Sequence, residues 1–135
     1  MSFVQRRVTI LRIRHPRQQG LNEELQWLCS SLGLLGERDK ERTCFRLFLE
    51  MLKIARKTEG VTSDSLAESL ALSRPAVLHH LAALQERGIV IHEGKRYFLC
   101  NDSLQGIMHK LQKDAEETLK DLATVAAELD RILER

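Results

Sequence analysis

The chain lacks most of what marks an enzyme, an exported protein or a metal protein. It has three cysteines, Cys29, Cys44 and Cys100. An odd number at no ligand spacing supports neither a disulfide framework nor a thiolate metal site. Cysteines of this kind suit a reducing cytoplasm, where a buried thiol packs as a small hydrophobe. No stretch approaches the ~18 consecutive apolar residues of a membrane span. Met1 to Arg17 carries arginines but no continuous apolar segment, which is not the pattern of a secretory signal. A cytoplasmic location without a membrane partner is therefore expected. There is no internal repeat and no low-complexity tract. The five histidines are His15, His79, His80, His92 and His109. His79 and His80 are neighbours, but adjacent helical residues point about 100° apart and share a ligand poorly. No serine, cysteine or carboxylate stands in a nucleophile or paired-acid motif, so no enzymatic activity, metal or cofactor is expected.

Charge of one sign is also scarce, with a net charge of +2 over 135 residues. Its distribution says more than its sum. Residues 1–20 hold Arg6, Arg7, Arg12, Arg14 and Arg17 and no acid, whereas 103–135 carries an excess of acid. From 62 to 96, the acids Asp64, Glu68, Glu86 and Glu93 balance Arg74, Arg87, Lys95 and Arg96. If the chain binds nucleic acid, much of its attraction to phosphate is expected from the amino-terminal arm.

What is present is most informative from Leu72 to Val90. Ser73 is a helix cap, and Pro75 is tolerated in a first turn, whose amides have no intrahelical acceptor. Val77, His80, Leu81 and Leu84 make one inward face, leaving Arg74, Pro75, Leu78, His79 and Ala82 outward. Gly88 ends the helix. Upstream, Thr62 caps a short helix to Leu70, with Asp64 in the dipole-favoured first turn and Leu66, Ala67 and Leu70 as its buried stripe. Downstream, Ile89-Val90-Ile91-His92 is expected to pair with Arg96-Tyr97-Phe98-Leu99-Cys100 across Glu93-Gly94-Lys95, a hairpin with glycine where positive φ is needed. Helix, turn, capped helix and hairpin is the order of a winged helix-turn-helix, a module that lays one helix in a DNA major groove.

Leu72-Ser73, Val77, His79-His80-Leu81, Leu84 and Gly88-Ile89-Val90 resemble the pattern of the ArsR-like winged-helix transcriptional regulators. The resemblance covers roughly residues 60–100. It implies base contacts from the start and outer face of the second helix, at Arg74, Ala76, Leu78 and His79, and phosphate contacts from the wing, at Lys95 and Arg96. Pro75 and Leu78 occupy outward positions usually held by polar residues, so hydrogen-bonded base reading rests on few side chains. The metal-sensing cysteine cluster of some such regulators is missing, and no small-molecule effector is identifiable.

Three domains or segments are expected: a basic arm over 1–20, a winged helix-turn-helix domain over 21–100 and a coiled-coil-like helix over 101–135. In the arm, Val8-Thr9-Ile10-Leu11-Arg12-Ile13 reads as a strand needing a partner, either the wing sheet or another subunit. Two readings stay open: arginines including Arg12, Arg14 and Arg17 that reach a minor groove or phosphates, or a solvated edge strand kept soluble by charge. Asn22 is expected to cap a helix bearing Leu25, Leu28 and Leu32 with Trp27 beside them. Asp39 is expected to cap a second helix to about Lys57. Its apolar residues surround almost the whole circumference, which suits a core or a subunit interface. Phe45, Phe48 and Trp27 read as core packing ahead of a ligand pocket.

The last third reads as one helix from about Ser103 to Leu133, with Asp102 as cap and Gln105 three residues on. Leu104, Met108, Leu111, Ala115, Thr118, Leu122, Val125, Leu129 and Ile132 alternate spacings of four and three. This is a coiled-coil seam flanked by Leu119, Ala126 and Leu133. The seam predicts dimerisation, against the alternative of a helix packed over its own chain.

The expectation is a mostly α winged helix-turn-helix with a two-stranded wing, N-terminal helices and a long C-terminal dimerisation helix. Its expected function is a homodimeric, sequence-specific regulator on double-stranded DNA, cytoplasmic and nucleoid-associated, with higher oligomers open. The alternatives are a protein-binding winged-helix module using Pro75, Leu78 and Ala82, and a nucleoid-type binder without sequence preference.

Overall fold

The structure, a computed structural model, describes residues 4–17, 20–35, 42–55 and 59–134. Along these the order is α1 (Leu21–Ser31), α2 (Thr43–Ala55), α3 (Ser63–Leu70), α4 (Arg74–Glu86), β1 (Val90–Glu93), β2 (Arg96–Leu99) and α5 (Leu104–Leu133). The winged helix-turn-helix expected from the sequence is the fold observed, mostly α with one two-stranded antiparallel sheet among the described residues.

The centre of the fold is α2. Cys44, Phe45, Leu47, Phe48 and Met51 are buried on one side of it, with Arg46 and Lys53 exposed on the other, so α2 is amphipathic and not apolar all round as the sequence suggested. Leu66 from α3, Val77, Leu81 and Leu84 from α4, Ile89 and Val90 from the wing and Ile107 from α5 close the same core. Each such side chain contributes about 1.5–3 kcal/mol when fully buried. The Asp39 cap and the helix end at Lys57 lie outside the described residues.

Helix ends follow short polar side chains. The Thr62 hydroxyl accepts from Ser65 N (3.1 Å), and the Ser73 hydroxyl accepts from Ala76 N (3.2 Å), both as expected. Two other caps differ from the sequence reading. The N-cap of α1 is Gly20, with no side-chain hydrogen bond, and Asn22 falls inside the first turn. The N-cap of α5 is Ser103, whose hydroxyl accepts from Gly106 N (3.0 Å), so Asp102 lies outside the helix. Asn101 explains the shift: its side-chain oxygen accepts from both the backbone N and the hydroxyl of Ser103, each at 3.1 Å. That braced junction delivers the chain from β2 into α5 without slack.

The wing pairs Val90 with Leu99, Ile91 with Phe98, His92 with Tyr97 and Glu93 with Arg96. Glu93 therefore belongs to the strand, and the loop is Gly94-Lys95, with Gly94 at φ 62° as a two-residue turn demands. A bridge the sequence reading missed joins Val61 to Tyr97 through N–H to O bonds of 2.9 and 2.7 Å. Its signal was present, a β-branched residue between Gly60 and the Thr62 cap.

Among the described residues the arm forms no strand and does not pair with the wing. Arg7 N donates to Glu86 O (2.9 Å) and Leu11 N to Ser31 O (2.7 Å), so the arm satisfies the carboxyl ends of α4 and α1 instead. Indole Nε1 of Trp27 donates to Ile13 O (3.0 Å) and fixes the far end.

Candidate nucleic-acid interface

The recognition unit begins at the turn between α3 and α4. Ala71 ends α3 in the left-handed region at φ 55°, and Leu72 N returns to Ala67 O (2.9 Å). The Arg46 guanidinium on α2 donates to Leu70 O (3.0 Å), tying the turn to the central helix. Ser73 then starts α4, whose inner residues Val77, Leu81 and Leu84 are fully buried. The outward set is as the periodicity predicts: Arg74, Pro75, Leu78, His79 and Ala82 are all exposed, and Ala76 is half-buried. An exposed helix face of this length, with its first turn free of acid, is the shape that fits a major groove.

The charged groups differ in how they are held. Arg74 Nε lies 3.6 Å from Asp64 Oδ1, with both side chains well exposed. Such a pair is worth about 0–1 kcal/mol, so exchanging the carboxylate for a phosphate costs little. Arg96 is engaged differently: its guanidinium donates to the carbonyls of Glu59 (3.2 Å) and Gly60 (3.4 Å), holding the wing against the segment before α3. Lys95 at the hairpin tip is exposed and has no side-chain hydrogen bond or ion pair among the described residues. His92 stacks on Tyr97 with ring centres 4.1 Å apart, stiffening the hairpin.

The five arm arginines divide into two groups. Arg6 donates to Gln85 O (3.1 Å) and sits 3.7 Å from Asp114, and Arg7 pairs with Glu86 at 3.1 Å. These two staple the arm to the end of α4 and to α5. Arg12, Arg14 and Arg17 are exposed, with no ion pair among the described residues. The arm thus docks at the end of α4 remote from Arg74, about 18 Å away along the helix at 1.5 Å per residue. The structure does not bring the arm arginines and the start of α4 together.

The seam of α5 also divides. Leu104, Met108, Leu111 and Ala115 are half-buried against the body, and Ile107, absent from the expected seam, is buried in the core. From Glu116 to Glu134 every residue is exposed, including Thr118, Leu122, Val125, Leu129 and Ile132. Thr118 is satisfied within its own helix, its hydroxyl donating to Asp114 O (2.7 Å). Between the arm, α1 and the first half of α5 runs a groove of about 720 Å³, almost wholly apolar, in which Trp27 is a wall. Trp27 therefore belongs to this groove, while Phe45 and Phe48 are buried around α2.

Among the described residues no group of three or more His, Cys, Asp or Glu could hold a metal. Burial, with Cys44 alongside, pushes the Cys29 thiol up to about 12, and burial raises Cys100 as well. Thiols held protonated are poor nucleophiles and poor redox sensors. No helix among the described residues is long and apolar enough to cross a membrane.

A search among curated proteins returns no match. Residues 49–91, from the middle of α2 through α3 and α4 into β1, match the family model of the winged helix-turn-helix DNA-binding domain.

Proposed function

We propose that the protein is a transcriptional regulator that binds double-stranded DNA as a homodimer and reads sequence with α4. The observation that carries this reading is the capped, exposed face of α4, lying within the segment that matches a DNA-binding domain. Arg74 and His79 are its hydrogen-bonding readers, Ala76 and Leu78 offer apolar contact to thymine methyls, and Lys95 and Arg96 belong to the wing's phosphate side. The narrower likeness is to ArsR-like regulators, on the strength of Leu72-Ser73, Val77, His80-Leu81 and the Gly88 stop. Homodimerisation is supported by the exposed apolar seam from Leu119 to Leu133, which a single copy leaves in water. Two copies related by a two-fold axis then read an inverted repeat with half-sites about one helical turn apart.

One observation favours a second reading, a winged-helix module that docks on protein. Pro75, Leu78 and Ala82 form an exposed apolar strip on α4, and Arg74 already faces Asp64.

Selection from random duplex DNA at two salt concentrations tests both. An enriched palindrome, lost in the Arg74→Ala/His79→Ala protein at unchanged circular dichroism, is the expected result. Each lost base contact weakens binding by about 1–3 kcal/mol. Salt-sensitive binding without a motif would support a nucleoid-type role instead, and no binding at either salt would favour the protein-docking module.

A further inference from the structure

The groove beside the arm and the uncovered half of α5 are two parts of one surface. Ile10, Ile13, Trp27, Leu28, Met108 and Leu111 wall the groove, and Leu119 closes its far end. Leu119 is also the first of the exposed apolar residues that continue through Leu122, Val125, Leu129 and Ile132. A groove of about 720 Å³ is large enough for a small apolar ligand. Charge and pattern favour a segment of protein.

Residues 116–134 carry Glu116, Glu117, Asp121, Glu128, Asp130 and Glu134 against Lys120 and Arg131, a net charge of −4. The first half of α5 carries Lys110 and Lys113 against Asp114, and the arm beside it carries five arginines and no acid. Parallel α5 helices would set two strongly acidic halves side by side. Antiparallel helices set each acidic half along the groove of the other copy, where Arg7, Arg12 and Arg87 stand against Glu116 alone. The apolar pattern is self-complementary in the same sense. About a centre at Lys120, Thr118 falls opposite Leu122, Ala115 opposite Val125, Leu111 opposite Leu129 and Met108 opposite Ile132, so each of these seam residues meets another.

We infer that the two α5 helices of the dimer pair antiparallel, with residues 122–133 of each copy seated in the groove between the arm, Trp27 and the first half of α5 of the other. The inference rests on the homodimer reading and goes beyond it by fixing orientation, occupant and the role of the arm. Arg12 is then a partner-binding residue, and the arm clamps the second copy.

Spin labels at Glu134→Cys, in a Cys100→Ser background with Cys29 and Cys44 buried, report the orientation directly. The exposed helix end tolerates the change. An antiparallel pair separates the two labels by about 40 Å at 1.5 Å rise per residue. A parallel pair brings them to roughly the 8–10 Å of packed helix axes. Sedimentation of the same protein and the emission of Trp27, the single tryptophan, complete the measurement. A dimer with the long distance, and Trp27 emission that shifts to the blue on assembly, is the expected result. A dimer with the short distance overturns the antiparallel pairing and leaves the homodimer intact. A monomer overturns both, and if its Trp27 emission then responds to the apolar probe anilinonaphthalenesulfonate, the groove belongs to a small ligand.

Discussion

The helix-turn-helix with its wing and the far half of α5 are both amphipathic, yet they satisfy their apolar faces in different ways. In α3, α4 and the wing, Leu66, Val77, Leu81, Leu84, Ile89 and Val90 are all buried within the chain. In α5 beyond Ala115, residues of the same kind and spacing are exposed. A period in the sequence specifies that a face must be buried, and says nothing about which molecule buries it. Loop length and topology decide that, and a straight helix ~45 Å long outruns a body this small.

Four variants break or sharpen this contrast. Leu122→Asp has the largest effect, because each dimer would bury two unpaired charges at a cost of several kcal/mol apiece. Sedimentation is expected to show a monomer, with operator affinity lost because the half-sites are no longer held together. Lys113→Glu, off the apolar seam, should weaken assembly far less, since it costs only an exposed charge attraction of about 0–1 kcal/mol. A Leu122→Asp protein that remains dimeric would mean that the far half of α5 is no interface. Leu81→Ala comes next. It opens a cavity in the buried core and lowers stability by about 2–5 kcal/mol. Urea denaturation should show that loss equally at low and high protein concentration, whereas defects in α5 should depend on concentration. Replacing Arg12, Arg14 and Arg17 together with glutamine has the smallest effect on DNA. The slope of log affinity against log salt is expected to stay nearly constant, since the arm docks at the end of α4 remote from Arg74. A slope shallower by about 0.9 for each residue would return those arginines to phosphate.

The winged helix was legible in the sequence because its signals are local. Ser73, Thr62 and Gly94 each act within three residues of themselves, and the outward set of α4 follows from 3.6-residue periodicity alone. What escaped depends on competition or on distance. Asp102 and Ser103 are both good caps, and only the Asn101 bracket decides between them. The carbonyls of Glu59 and Gly60 that Arg96 braces lie far back along the chain, so no local pattern shows that contact. Val8 to Ile13 has strand composition, but Leu11 N bonds to the end of α1, as Arg7 N before it bonds to the end of α4, which no local pattern encodes. The bridge from Val61 to Tyr97 and the burial of Ile107 likewise come from contacts distant in sequence.

The Asn101 bracket matters mechanically. It leaves only Cys100 to Ser103 between the wing and α5, with the middle of that link cross-tied. Wing and long helix therefore turn as one piece, like the jaw and handle of a calliper. In a dimer built on α5, a few degrees at the helix crossing swing each reading head by several ångströms. Operator spacing then becomes a property of the handle, adjustable by changes in α5 that never touch DNA.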